Sequence, residues 1–202
     1  MRKKEPVMRQ WELLVILVQQ TFGDGNPLVE LARAAMVLIQ KGKGYFWSIG
    51  IVEVTWKVCT AVANCRLKRG VVLHKDLHRF RVGHGTGTAT LEANLAQQVA
   101  GIAHKPLFQV FLDIHKAYDS LDRVRCLEVL RGYGMGPNIA CLLKSYWERQ
   151  RIVPNMCKFL WKKFRTGRIL TQGYPESPMI FNTVVDAVVW AVLDVVCGPK
   201  EA

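Results

Sequence analysis

The sequence lacks paired cysteine spacing. Its six cysteines, Cys59, Cys65, Cys126, Cys141, Cys157 and Cys197, include no C-x-x-C pair. A zinc knuckle or disulfide framework is therefore not indicated, and thiols set in apolar stretches read as reduced and buried in an intracellular protein. The Gly-Thr repeat at 85–88 is not followed by the Gly-Lys-Ser/Thr of a phosphate loop. His74 and His78 have the spacing of a zinc-binding helix pair, but Lys75 stands where that motif needs glutamate. There is no internal repeat and no low-complexity linker, so no boundary divides residues 36–197.

Acidic residues are scarce: 16 against 28 basic ones, a formal charge of +12. The excess sits in residues 41–202, which hold 23 Lys/Arg against 12 Asp/Glu. A polyanion such as nucleic acid suits that balance, since phosphate contacts supply most non-specific affinity. Two apolar stretches invite a membrane reading. Leu13 to Val18 follows a basic start, but no small-residue cleavage site comes after it. The run from Pro178 to Cys197 is long enough to span a bilayer, yet contains Asn182, Asp186 and Asp194, each costly at that depth. It reads as a buried core helix, and no membrane is expected.

Periodicity gives a mixed α/β (α+β) chain. Residues 5–20 and 27–35 read as helices. Residues 36–40 and 45–52 read as a hairpin with a basic tip, Lys41-Gly42-Lys43-Gly44. Residues 53–67 suit a helix presenting Val54, Val58, Ala61, Val62 and Cys65 on one face. A Gly/Thr-rich loop over 79–88 precedes a helix from Ala89 to Ile102. The run Leu107–Asp113 reads as a fully buried strand with an acidic residue at its end. Helices over 121–133 and 137–149, two short strands over 150–165 and a loop over 166–177 lead into the final helix.

The chemistry-bearing residues begin at Asp113, a carboxylate delivered to a strand end and suited to a hard cation such as Mg²⁺. Asp119 and Asp122 read as caps of the following helix. The string Asp113-Ile114-His115-Lys116-Ala117-Tyr118-Asp119-Ser120-Leu121-Asp122-Arg123 resembles motif A of reverse transcriptases, in the style of non-LTR retrotransposons and group II intron enzymes. The string Gln172-Gly173-Tyr174-Pro175-Glu176-Ser177-Pro178, continuing to Phe181-Asn182, resembles motif B and begins 59 residues after Asp113. Its Ser177-Pro178 suits a helix start, with a hydroxyl cap and proline at the first position. The Lys41–Lys43 hairpin resembles the fingers hairpin. The segment Arg79-Phe80-Arg81, continuing through Gly83, looks like the loop written G-F-R-x-G-R-G-T.

The resemblance implies a right-hand polymerase fold. Residues 1–35 would be an N-terminal helical segment, and residues 36–202 a partial reverse transcriptase domain carrying motifs 1, 2, A and B of fingers and palm. The motif C hairpin and the thumb would be missing, and the chain alone would not extend a primer. It implies Asp113 as the catalytic and metal-binding residue, bridging two Mg²⁺ ions with a carboxylate from motif C. It implies Lys41, Lys43, Arg81, Tyr118, Gln172 and Gly173 as nucleotide-binding. Tyr118 would exclude a ribose 2′-hydroxyl, and Gly173 would let template and nucleotide approach the backbone. RNA template, DNA primer and deoxynucleoside triphosphates are the implied partners. The sequence departs from the pattern at Trp47 and His84, where arginine is usual, and at Tyr174, where aspartate is.

Residues 144–168 add eight Lys/Arg interleaved with Tyr146, Trp147, Phe159, Trp161 and Phe164. Lys158, Lys162, Lys163, Arg165 and Arg168 are candidate nucleic-acid contacts, with the aromatics as stacking platforms. A twisted hairpin with aromatics inward and charges outward fits the same pattern. A non-catalytic nucleic-acid-binding protein derived from a retroelement, or a decayed open reading frame, also remains open.

Overall fold

The computed structural model describes residues 5–25, 29–156, 159–160, 165, 167 and 170–198. In chain order these form α1 (Glu5–Asp24), a 3₁₀ turn (Val29–Ala32), β1 (Arg33–Gly42), β2 (Tyr45–Val52), α2 (Val54–Gly70) and α3 (Thr86–Ile102). Then come α4 (Arg123–Gly132), α5 (Pro137–Arg149), β3 (Arg151–Met156), β4 (Phe159–Leu160) and α6 (Ser177–Cys197). The chain is mixed α/β. Among the described residues four strands form one sheet in the order β2-β1-β3-β4, with β1 antiparallel to β2 and parallel to β3.

The hairpin forms as its sequence dictates. Gly44, at φ +79°, closes the turn after Lys43, a geometry that costs glycine little. The register slips between Gln40 and Gly42, so Lys41 is the extra residue of a bulge. A bulge re-aims its side chain, and the Lys41 ammonium lies 4.9 Å from the Trp47 ring centroid on the facing strand.

The core lies among the helices. Trp56 of α2 stacks on Tyr146 of α5 with centroids 3.6 Å apart and planes within 4°, both fully buried. Leu130 of α4, Leu142 and Leu143 of α5, Ile152 of β3 and Ile180 of α6 complete it. Asp122 caps α4 as expected, accepting from the Val124 and Arg125 amides. Arg123 beside it is buried. It donates to Gln150 Oε1 at 2.6 Å and to the carbonyls of Gly167 and Trp147, fastening α4 to the end of α5.

Several expectations need correction. Residues 107–113 form no strand: Phe108 is 89% exposed and Phe111 87%. The described strands pair with one another and not with this run, so its apolar side chains have no sheet to bury against. The helix expected over 27–35 is not seen in its described part, where Val29–Ala32 form a 3₁₀ turn and β1 begins at Arg33. Helix α2 buries Trp56, Cys59, Thr60, Ala63 and Leu67, not the valine face. Both sets have helical spacing, and the buried one carries Trp56, which stacks on Tyr146 of α5.

Helix α6 is a core helix only over its first half. Met179 to Thr183 and Asp186 are buried, whereas Val192, Val195 and Val196 are exposed. It is long and apolar enough to cross a membrane by length and composition. Its Asp186, however, accepts from the Tyr133 hydroxyl at 2.6 Å and the His74 amide at 2.5 Å, inside the protein. Ser177 does not cap it; Glu176 holds that position, and the Ser177 hydroxyl donates to Thr171 O.

Candidate nucleotide site

Four segments far apart in the chain meet around one concavity of about 430 Å³. The hairpin supplies Lys41 and Trp47, the 71–85 loop supplies Arg79, the turn before α4 supplies Asp113, Tyr118 and Asp119, and the loop before α6 supplies Gln172. Lys116 also lines it, at φ +49°, so cations and carboxylates face the same space.

Each wall has a local cause. Tyr118 is half-buried against Phe181 of α6, ring centroids 5.3 Å apart. Burial pushes its hydroxyl pKa above the ordinary range, with the Arg79 charge opposing. Gln172 is fixed through its backbone, since its carbonyl accepts from the Gly50 amide of β2 at 2.8 Å. Asp119 caps no helix; it is exposed on the concavity wall.

The 71–85 loop is tied at several points. Asn182 of α6 donates to the Arg79 carbonyl at 2.5 Å. The Arg81 guanidinium donates to the carbonyls of His74, Lys75 and Leu77 at 2.7–3.2 Å. Between the two arginines, Phe80 sits at φ +55°, a left-handed conformation costing about 1–2 kcal/mol for a side-chain-bearing residue. That twist sends Arg79 into the concavity and Arg81 away from it, where it lines a different cavity of about 410 Å³.

Three expected nucleotide contacts are therefore placed elsewhere. Arg81 staples its own loop. Lys43 sits in the hairpin turn and does not line the concavity. Gly173, at φ +97°, faces the backbone of β2: a Cβ there would come within 2.6 Å of Gly50 O. Its bareness serves loop packing. Gly50 is bare for the reciprocal reason, because the Tyr174 ring fills the space its Cβ would take.

Arg79 is the residue that sequence reasoning missed. The signal was present, because the loop pattern writes glycine at this position and arginine stands there.

The proposed stacking platforms Tyr146 and Trp147 are core residues: Tyr146 is fully buried, Trp147 is 6% exposed, and neither presents a face to solvent. Lys158, Lys162, Lys163 and Arg168 lie outside the described residues. Arg165 is exposed and lines a further cavity of about 500 Å³ with Arg131 and Lys144. His74 and His78 have separate partners. His78 contacts Thr88 and Glu92, and His74 lies edge-on to Trp190. Among the described residues no group of three or more His, Cys, Asp or Glu could hold a metal ion.

Comparison with known proteins agrees with the motifs. The sequence model of the reverse transcriptase (RNA-dependent DNA polymerase) family matches residues 39–196. The chain is 26% identical over 157 residues to the retrovirus-related Pol polyprotein from type-1 retrotransposable element R2 of Nasonia vitripennis, covering 75% of this chain and 15% of that protein. It is 24% identical over 164 residues to the corresponding polyprotein from type-2 retrotransposable element R2DM of Drosophila melanogaster, covering 78% and 15%. The chain thus spans about 15% of the length of these relatives. With both motifs in order and most of its length matched, the chain belongs to the reverse transcriptase (RNA-dependent DNA polymerase) family, of the non-LTR retroelement kind.

Proposed function

We propose that this chain provides the nucleotide-facing surface of an RNA-directed DNA polymerase, and that the 430 Å³ concavity receives a deoxynucleoside triphosphate. The observation that carries the reading is the convergence of Lys41, Asp113, Tyr118 and Gln172 on that space from segments up to 131 positions apart. Lys41 supplies positive charge for the phosphates. Tyr118 offers a ring edge to the sugar, and Gln172 an amide to the base pair. RNA template and DNA primer are the partners in this reading, and the site of action is intracellular. Residues 36–202 would form fingers and palm of a right-hand polymerase, with the helix Glu5–Asp24 in the segment that precedes them.

The donor set fits a magnesium ion carried by a triphosphate. Mg²⁺ takes one or two protein carboxylates and completes its shell with phosphates and water. Asp113 would hold it, with Asp119 on the same wall. When bound, the metal neutralises phosphate charge and lowers the pKa of an attacking hydroxyl. This chain's own residues orient the nucleotide and exclude competing sugars.

The test is photo-crosslinking of the chain with 8-azido-dATP in Mg²⁺, followed by peptide mapping. Label should fall on peptides containing residues 41–47, 113–119 or 172, and Asp113→Asn should remove its Mg²⁺ dependence. Label mapped to other surfaces, or unchanged in the variant, rejects the reading.

A further inference from the structure

We infer that Arg79 is a triphosphate-binding residue, acting with Lys41 in an anion subsite of the concavity. This inference rests on the proposed nucleotide reading and deepens it.

Four observations support it. First, Arg79 lines the space that Asp113 and Lys41 line. Second, its backbone is fixed: its carbonyl is held by Asn182 of α6, a buried residue, while Arg81 staples the preceding turn. Third, its guanidinium lies 4.8 Å from the Phe80 ring centroid and 5.8 Å from that of Phe181. Stacking on aromatic faces leaves the N–H edge of the planar fork available, and that edge matches the geometry of phosphate oxygens. Fourth, among the described residues no carboxylate lies within ion-pair distance of Arg79, so its charge is not spent internally.

The sequence departs from the family pattern at two positions on this concavity. Trp47 occupies a β2 site where arginine is usual, and Arg79 occupies a loop site written as glycine. The Trp47 ring seats the Lys41 ammonium at 4.9 Å.

The experiment is isothermal titration of the 202-residue chain with dTTP, with inorganic tripolyphosphate and with thymidine, in Mg²⁺. Arg79→Ala should weaken dTTP and tripolyphosphate by a similar factor, about 10-fold to 100-fold for one charge-assisted contact. Thymidine binding and the thermal unfolding midpoint should not move, and Arg79→Lys should recover part of the loss. If Arg79→Ala stays within twofold of the parent while Lys41→Ala loses affinity, the inference falls and the nucleotide reading stands. If the parent chain binds neither dTTP nor tripolyphosphate, both fall.

Discussion

A methyl group at Gly173 would collide with the strand beneath it. The backbone there is left-handed, and the added Cβ would lie 2.6 Å from Gly50 O and 2.7 Å from Ile49 Cγ2. Gly173→Ala should therefore cost about 2–4 kcal/mol of stability, from strain plus overpacking. Urea unfolding measures it, and a change below ~0.5 kcal/mol, the size of an ordinary surface substitution, would mean that the loop is not seated on β2. Three residues on, Glu176 is fully buried among Trp56, Arg123, Tyr146 and Tyr174. Burial pushes its carboxyl from 4.5 up to about 7; the backbone, the Trp56 indole and the Arg123 charge offset part of that. The folded chain thus retains a proton that the unfolded chain gives up. Stability is greatest below the unfolded value, falls as pH rises from about 4.5 through about 7, and is flat above. The loss is on the order of 3 kcal/mol. Glu176→Gln should flatten this profile in urea melts at pH 5 and 7.5. The same slope in the variant would assign the effect to another group.

Elements obey the same physics with longer reach. Helix α6 has one composition and two environments. Its first half packs between α4 and the 71–85 loop through Ile180, Asn182 and Asp186, while Val195 near its end is 85% exposed. Ile180→Ala should cost about 2–5 kcal/mol, as for large-to-small changes in a core. Val195→Lys should stay within about 0.5 kcal/mol. Equal losses at both positions in chemical denaturation would contradict the division. The run 107–113 shows the same limit in another form. Its hydrophobicity states a demand for burial but does not supply a neighbouring strand.

Across the whole molecule the net charge of +12 predicts nucleic-acid affinity that falls steeply with salt. Replacing Lys162, Lys163 and Arg165 by alanine together should reduce the log–log salt slope by about 2–3 if each meets a phosphate. Fluorescence anisotropy on a labelled single strand at several salt concentrations gives the slope. A slope equal to that of the parent chain would mean these charges only solvate their surface. Tyr146 and Trp147 add no stacking platform to that surface, because the core consumes both rings. The interleaving of Tyr146 and Trp147 with charged residues arises from the helical face of α5.

The sequence by itself determined the hairpin with its Lys43-Gly44 turn, the Asp122 cap, the helices around 123–149 and the two motif strings that place the chain in its family. Each of these depends on contacts within a few residues, or on a string of fixed spacing, so local chemistry suffices. Tertiary structure decided which face of α2 is buried, how much of α6 is core, and that 107–113 is not a strand. It also decided the composition of the concavity, admitting Arg79 and turning Arg81 and Gly173 to packing. The physical reason is common to all of these. The motif string marks Arg81, but only the folded loop, with Phe80 at positive φ, the Arg79 carbonyl held by Asn182 and Arg81 bound to carbonyls of its own loop, puts Arg79 on the concavity and Arg81 on another cavity.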